Sequence, residues 1–304
     1  MLRIVRRSVS TGKRLYLCRN RNGHSSAAAA VLSIKGLKWE SAEFGGVDVN
    51  LSQLGENYSL DEFSDKLKES LLHWSKERRT SVWLKVPIGQ SYLIPVAFNH
   101  GFSYHHAVGD YAKLLKWLPR WEHSKVPPYA THQVGVSGLV LNRKTKEVLV
   151  VQDKYMYKVG QTRKANMWKF PGGLSNEGEN FEETAIREVW EETGVKAEFK
   201  SVLLFRQQHQ MRNAFDKSDI YIVCRMEPLS FDISHCEDEI AQCEWMKLST
   251  LITHAEVGPL TKLVGRLAAH GLKNGFDNVD MVENRMKSWM HPEQSVSLYH
   301  RCLP

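Results

Sequence analysis

The chain has 304 residues, 42% of them hydrophobic and 25% charged, which is long enough for two domains with separate cores and typical of a globular protein. No stretch approaches the roughly 18 apolar residues of a membrane-spanning helix, so we expect no membrane partner. The formal net charge is +7, yet residues 1–39 contain nine Lys or Arg and no Asp or Glu. The rest of the chain is therefore slightly acidic, which disfavours nucleic acid as a partner.

Residues 1–36 form a basic leader. Its first 30 residues are rich in Arg and Ser and lack acidic residues, a composition typical of a mitochondrial transit peptide. The alternative is a basic tail that stays attached and leaves the protein in the cytoplasm or nucleus. We expect the mitochondrial location.

Residues 37–118 predict a small α/β domain. Two short strands separated by Gly45 and Gly46 precede a helix that Ser59 and Glu62 open with a capping box. The following segments are a strand at 81–88, a helix at 91–102 and strands near 103–118. This order resembles half of an acyltransferase of the GNAT type. Because the sequence has no Gly-rich pyrophosphate loop there, a structural or substrate-covering domain is the better interpretation.

His105 and His106 are neighbours in one of these predicted strands. Successive side chains of a strand point to opposite faces of the sheet, so we expect the two imidazoles not to share a metal ion. Five cysteines without a CxxC pair likewise indicate no zinc site and no disulfide framework.

Residues 119–132, which include three prolines, are interpreted as a linker, and residues 133–275 as a second domain. In the second domain a β-hairpin turns at Asn142–Lys146 and an acidic helix covers about 180–193, with further strands and helices after it. Residues 276–304 form a C-terminal tail that either caps the second domain or is partly loose.

The acidic helix carries the residues from which we infer chemistry. Glu188, Glu191 and Glu192 lie at positions i, i+3 and i+4, so they share one helix face and repel each other. A hard divalent cation such as Mg²⁺ or Mn²⁺, which prefers carboxylate oxygens, is the natural partner of such a stripe. Arg187 is placed to pin one of these carboxylates. We expect the opposite side of the helix to be buried through Phe181, Ala185, Ile186 and Val189.

The loop before this helix contains Pro171, Gly172 and Gly173. Glycine lets the backbone approach a ligand closely, so the carbonyl of Gly173 can add a metal ligand. A metal that bridges phosphate oxygens would neutralise charge on the leaving group and orient the attacking water.

Residues 173–195 match the Nudix box, Gly-x5-Glu-x7-Arg-Glu-U-x-Glu-Glu-x-Gly-U with U aliphatic, at every specified position. The chain therefore resembles the Nudix hydrolases, and beyond the box it is similar to a subgroup, with plant members, that shares the upstream domain. The resemblance implies an α/β/α sandwich around a mixed sheet. It also implies cleavage of the pyrophosphate of a nucleoside diphosphate linked to another group.

The resemblance further implies residue roles. The three glutamates would bind Mg²⁺ or Mn²⁺ together with the Gly173 carbonyl, and Arg187 and Glu179 would orient the carboxylates. The general base of the family varies between a box glutamate and an acid in a later loop, where Glu237 and Glu239 lie here. The candidate catalytic residues are accordingly Arg187, Glu188, Glu191 and Glu239.

The substrate is expected to be a nucleotide, with Lys169, Arg206 and Gln208 as candidate contacts. Further candidates, which a polar edge strand or a solvated loop would also explain, are Gln207, His209, Lys158, Arg163 and Lys164. Segments typical of the NADH, ADP-ribose and coenzyme A classes of the family are absent from the sequence. An ADP-ribose-like or NADH-like substrate is expected, without a choice between them.

Other functions stay open beside hydrolysis. A non-catalytic regulator of cell growth could bind a nucleotide or a protein through the same fold, although it would not need three metal-binding carboxylates. Capped RNA is an alternative substrate, which the slightly acidic body of the chain disfavours. A homodimer would suit an N-terminal domain that packs on a partner's cleft.

We predict that residues 1–30, fused to a fluorescent reporter, direct it to mitochondria, because the arginines and the absence of acids favour import. Microscopy beside a mitochondrial dye measures the location. A fusion in which the leader arginines are replaced by glutamine is the control and should stay diffuse. A diffuse or nuclear signal from the unaltered leader would contradict the prediction.

Overall fold

The computed structural model describes residues 36–55, 58–154, 158–159, 162–163, 167–209, 217–288 and 291–301. The chain divides into two compact units, Met1–Tyr129 and Ala130–Pro304, and the division falls inside the segment predicted as the linker. No helix in the described ranges is long and apolar enough to cross a membrane. The basic leader and Lys164 lie outside the described residues.

The first unit is a five-stranded sheet with its core on one face. Its elements are β1 Glu40–Ala42, β2 Gly46–Asn50, α1 Leu60–Lys76, β3 Ser81–Pro87, α2 Ile94–Asn99, β4 Ser103–Val108 and β5 Tyr111–Trp117. The strand order is β1-β2-β3-β5-β4, and only β2 and β3 run parallel. Phe63 and Leu67 of α1 pack on Leu84 of β3. These elements confirm the predicted segments, while the likeness to half of an acyltransferase stays a prediction.

The two adjacent histidines of β4 contact each other. The pairing of β4 with β5 shifts register between Tyr104 and His106, which marks a β-bulge. The Nδ1 atoms of His105 and His106 are 2.7 Å apart. The expectation that the two side chains point to opposite faces was therefore wrong, because the bulge interrupts the alternation of the strand.

The second unit is built on a mixed sheet. Its strands are β6 His132–Asn142, β7 Glu147–Asp153, β8 Lys158–Val159, β9 Thr162–Arg163, β10 Gly172–Leu174, β11 Ala197–Gln208, β12 Ser218–Pro228, β13 Ile240–Lys247, β14 Met281–Lys287 and β15 Ser295–Arg301. Its helices are α3 Phe181–Thr193, α4 Leu248–Thr253 and α5 Pro259–Asn274. The strand order is β13-β7-β6-β12-β11-β14-β15, with β10 beside β6 and β8 paired with β9 apart. β6 and β12 run parallel, whereas the other pairs are antiparallel.

Helices cover both faces of this sheet, as the strand alternation requires. Leu139 of β6 belongs to a core with α4 and α5, whereas its neighbour Val140 belongs to a core with Ala185 and Val189 of α3. This arrangement confirms the predicted α/β/α sandwich. Ile186, predicted to be buried, is 37% exposed, because it lies about 100° around the helix from Ala185.

The C-terminal segment is part of the sheet. β14 pairs with β11, and β15 pairs with β14 along its whole length. Just before β14, buried Asp280 accepts two hydrogen bonds from buried Arg225 of β12, at 3.1 and 2.6 Å. Residues 276–304, predicted as a C-terminal tail that either caps the second domain or is partly loose, thus contain two strands, Met281–Lys287 and Ser295–Arg301, that extend the sheet beside β11.

Replacing Asp280 with alanine should lower the free energy of unfolding by about 3 kcal/mol, because Arg225 would stay buried with only a weaker partner. That partner is Glu227, whose carboxylate lies 3.4 Å from Arg225. Urea unfolding measures the change. Arg285→Ala is the matched control, since Arg285 is 54% exposed in its ion pairs and should change stability far less. Equal losses for both variants would contradict the proposed anchor.

Candidate active site

The helix α3 is fixed at both ends by residues of the box region. Its first turn is closed by the Glu183 carboxylate, which accepts a hydrogen bond from the Asn180 backbone N–H at 2.8 Å. Gly194 ends the helix with φ 74°, a left-handed conformation that favours glycine. A Cβ at Gly194 would lie 3.0 Å from the carbonyl oxygen of Ser234. The box glycine is thus needed both to end the helix and to let the loop that contains Ser234 approach.

Arg187 collects the carboxylates of the site. Its Nε and Nη2 atoms donate to the two oxygens of Glu179 at 2.7 and 2.8 Å. Its Nη1 donates to Glu188 at 2.6 Å and to Glu191 at 3.1 Å. Nη2 also donates to the carbonyl of Leu174 at 3.0 Å. The Arg187 guanidinium holds the pKa of Glu179 far below its usual range, and Glu179 in turn raises the pKa of Arg187.

Two glycines let the loop lie against the helix. A Cβ at Gly173 would be 2.6 Å from both carboxylate oxygens of Glu188. A Cβ at Gly172 would be 2.3 Å from the carbonyl oxygen of Val136, and the Gly172 N–H donates to the Glu192 carboxylate at 2.9 Å. Any larger residue at either position would displace a box carboxylate or the neighbouring strand.

Two of the box carboxylates, those of Glu188 and Glu192, are buried without enough positive charge or hydrogen bonding to offset the cost of ionisation. Burial raises the pKa of Glu188, against the opposing effect of Arg187, and the charges of Glu191 and Glu239 raise it further. Burial also raises the pKa of Glu192 to about 8, although Lys169 and the Gly172 N–H oppose the shift. In the folded chain these two carboxylates therefore favour either a proton or an added cation.

The donor set suits a hard divalent cation. Among the described residues, no three His, Cys, Asp or Glu side chains already converge on one point. Instead, Arg187 bridges Glu188 and Glu191, while Glu192 is bound to the loop. Three carboxylates on one helix face, two of them short of positive charge, nevertheless fit the preference of Mg²⁺ and Mn²⁺ for oxygen. The residues that would hold the ion are Glu188, Glu191 and Glu192, with the Gly173 carbonyl beside them.

Of the other predicted site residues, Lys169 and Glu239 lie near these glutamates. Lys169 Nζ is 2.7 Å from Asp153 and close enough to Glu192 to lower its pKa. Glu239 is exposed at the end of a turn, where its charge acts on Glu188. Glu237 lies in the same turn, and its backbone carbonyl accepts a hydrogen bond from Lys154.

The candidates on β11 divide between two faces of the sheet. Arg206 pairs with Asp219 and stacks over Tyr221, and Gln208 is exposed on the same side. Gln207 contacts His132 instead, on the α3 side. His209 contacts Ser218 at 2.8 Å, and Lys158 and Arg163 are described only as backbone in β8 and β9.

The chain matches known family models in both units. A model of the NUDIX domain matches residues 131–264, and one described as a Nudix hydrolase domain matches residues 37–118. The human protein nucleoside diphosphate-linked moiety X motif 6 is 44% identical over 270 residues, which cover 88% of this chain and 83% of its own length. The chain belongs to the Nudix hydrolase family.

A plant protein and a bacterial solved structure are also similar to this chain. Nudix hydrolase 8 of Arabidopsis thaliana is 44% identical over 211 residues, covering 69% of this chain and 54% of its own. Among solved structures, a MutT Nudix hydrolase from Burkholderia pseudomallei aligns with 45% of this chain and 98% of its own, at 20% identity and a TM-score of 0.37.

Sequence reasoning missed three residues of this site: Asp153 and Tyr221, which interact electrostatically with Glu192, and Asp219, which pairs with Arg206. Burial raises the pKa of Tyr221, and Lys169 and Glu192 also act on it. In the sequence these residues close or continue apolar strands, a pattern that indicates a buried strand and nothing more. A carboxylate at the end of a strand, as at Asp153, was the one signal available.

The raised pKa of Glu192 predicts a pH dependence of stability. Between the ordinary value of 4.5 and about 8, Glu192 is protonated in the folded state and ionised in the unfolded state, so stability falls as pH rises. We expect the melting temperature of the protein in EDTA to fall more between pH 5 and pH 8 than that of Glu192→Gln. Calorimetry in EDTA measures both slopes. Mg²⁺ added at pH 8 should raise the melting temperature of the wild type more than that of the variant. Equal slopes of melting temperature against pH would contradict the prediction.

Proposed function

We propose that this protein is a Mg²⁺- or Mn²⁺-dependent hydrolase that cleaves the pyrophosphate of a nucleoside diphosphate linked to another group, such as ADP-ribose or NADH. The observation that carries the proposal is the position of Arg187, which gathers Glu179, Glu188 and Glu191 on one side of α3. The site thereby presents an ordered set of carboxylates beside a glycine loop. A protein that only binds nucleotides would have no need of this set.

Each residue of the site has a separate role in the proposed reaction. When bound, the divalent ion supplies charge neutralisation and an activated water. Glu188, Glu191 and Glu192 hold it, and Arg187 keeps the first two in position. We assign the general base to Glu239, which is exposed and whose charge acts on Glu188. In that role Glu239 would accept a proton from the attacking water.

The name of the human relative supports the substrate class, since it refers to a nucleoside diphosphate linked to a further moiety. It does not choose between ADP-ribose and NADH, and both belong in a substrate panel with capped RNA.

We also propose a mitochondrial location on the composition of the leader. A homodimer stays a prediction, which light scattering of the full chain would test.

Glu191→Gln should lower kcat at least about 100-fold on whichever panel member the wild type cleaves with Mg²⁺ or Mn²⁺, because one metal-binding carboxylate is lost. Product release followed by chromatography measures the rates. Glu182→Gln is the matched control, since Glu182 lies on the same helix but pairs with Arg285 away from the box. Equal turnover by wild type and Glu191→Gln would rule out the assigned role. Nucleotide binding without turnover by any of the three proteins would favour the regulator.

A further inference from the structure

A row of polar side chains begins beside the glycine loop, on the face of the sheet that α5 covers. Tyr221 packs against the core formed with α4 and α5. A Cβ at Gly135 would lie 3.2 Å from the Tyr221 ring and 3.6 Å from the carbonyl oxygen of Gly173. Only the space of one side chain therefore separates the Tyr221 ring from the Gly173 carbonyl oxygen, which is predicted to bind the metal.

The row continues along β11 and β12. Their register pairs Arg206 with Tyr221 and Gln208 with Asp219, so all four side chains lie on one face. Arg206 stands over the tyrosine ring, with its guanidinium carbon 5.1 Å from the ring centroid. The row thus leads from the box to Arg206 and then to the exposed amide of Gln208.

Arg206 is anchored by an ion pair that balances its charge, although its buried Nε has no hydrogen-bond partner among the described residues. Its Nη2 donates to Asp219, which is only 4% exposed and accepts a second hydrogen bond from Gln133 at 3.2 Å. About a third of the Arg206 side chain, 34%, is exposed. The guanidinium is therefore anchored to Asp219 and lies over the Tyr221 ring, while part of the side chain is open to solvent.

This arrangement suits a nucleobase better than a phosphate. A guanidinium that already pairs with a buried carboxylate attracts a further anion weakly, since the two charges largely cancel. A paired guanidinium can still bind a base, since unpaired bases stack on arginine planes as they do on aromatic rings. Gln208, two residues along on the same face, adds amide groups that can donate to and accept from the edge of a base.

We infer that Arg206, backed by Tyr221 and fixed by Asp219, is the surface on which the nucleobase of the substrate stacks. The inference rests on the proposed function and narrows it, since it requires a substrate whose base lies on the α5 side of the sheet. Arg206 acts as a specificity-determining residue, and its planar shape matters more than its charge.

The decisive variant is Arg206→Lys. Lysine keeps a cation beside buried Asp219, so the fold is retained, but it lacks the planar guanidinium group. We expect the Kd for ethenoadenosine monophosphate, measured by fluorescence in EDTA, to rise about tenfold. The Kd for ribose 5-phosphate, measured by competition, should stay within about twofold of the wild type. With a cleaved nucleotide and Mg²⁺, KM should rise about tenfold while kcat changes little.

Arg143→Lys is the matched control, because Arg143 is 58% exposed and only 3.7 Å from Glu227 in a loose pair. It should leave all these constants unchanged. If Arg206 instead holds a phosphate, Arg206→Lys would bind both ligands nearly as well as the wild type, which would overturn the inference. A wild type that binds ethenoadenosine monophosphate no better than ribose 5-phosphate would also overturn it. Because binding is measured in EDTA without turnover, a protein that binds the base but cleaves no substrate would refute the proposed hydrolase and leave the stacking surface standing.

Discussion

Three carboxylates, from Glu179, Glu188 and Glu191, surround the single guanidinium of Arg187. Neighbouring negative charges on one side of a helix repel each other and would weaken α3 in its absence. Arg187 offsets this repulsion through charge-assisted hydrogen bonds of 2.6–3.1 Å. A further bond to the carbonyl of Leu174 fastens the glycine loop to the helix. Loop and helix consequently behave as one unit, and the position of every other group in the site depends on it.

Close packing of this unit is also the reason that it carries unbalanced charge. The two loop glycines admit the carboxylates of Glu188 and Glu192 against backbone, where a Cβ would not fit. Burial then penalises the ionised form, as the raised pKa values of both residues show. Such departures cluster at functional sites, because a group that costs stability persists where it serves chemistry. The part of the second unit in which loop and helix pack around these carboxylates is therefore also the part prepared for a ligand.

The box could be interpreted from the sequence because its spacing alone fixes its geometry, since residues three and four apart on a helix share a face in any surroundings. Contacts between segments that are far apart in the sequence could not be predicted in this way. The bulge that joins His105 to His106 depends on the register of a strand pair, and Arg225 meets Asp280 across 55 residues. Tyr221 resembles any other residue of a buried strand, so the sequence contained no sign of its place beside Gly135.

Two of the cations proposed from the sequence to contact substrate, Lys169 and Arg206, are already paired with carboxylates. Lys169 lies 2.7 Å from Asp153, and Arg206 is bound to buried Asp219. Neither pair offers a strong net positive charge to a diphosphate, and the glutamates around Arg187 make the local potential negative. A substrate that carries several negative charges would be repelled from such a site unless a divalent cation offsets the glutamates. On the proposed function, the cation would therefore strengthen the binding of the diphosphate as well as serve the chemistry, while the side chains of the row bind the base without it.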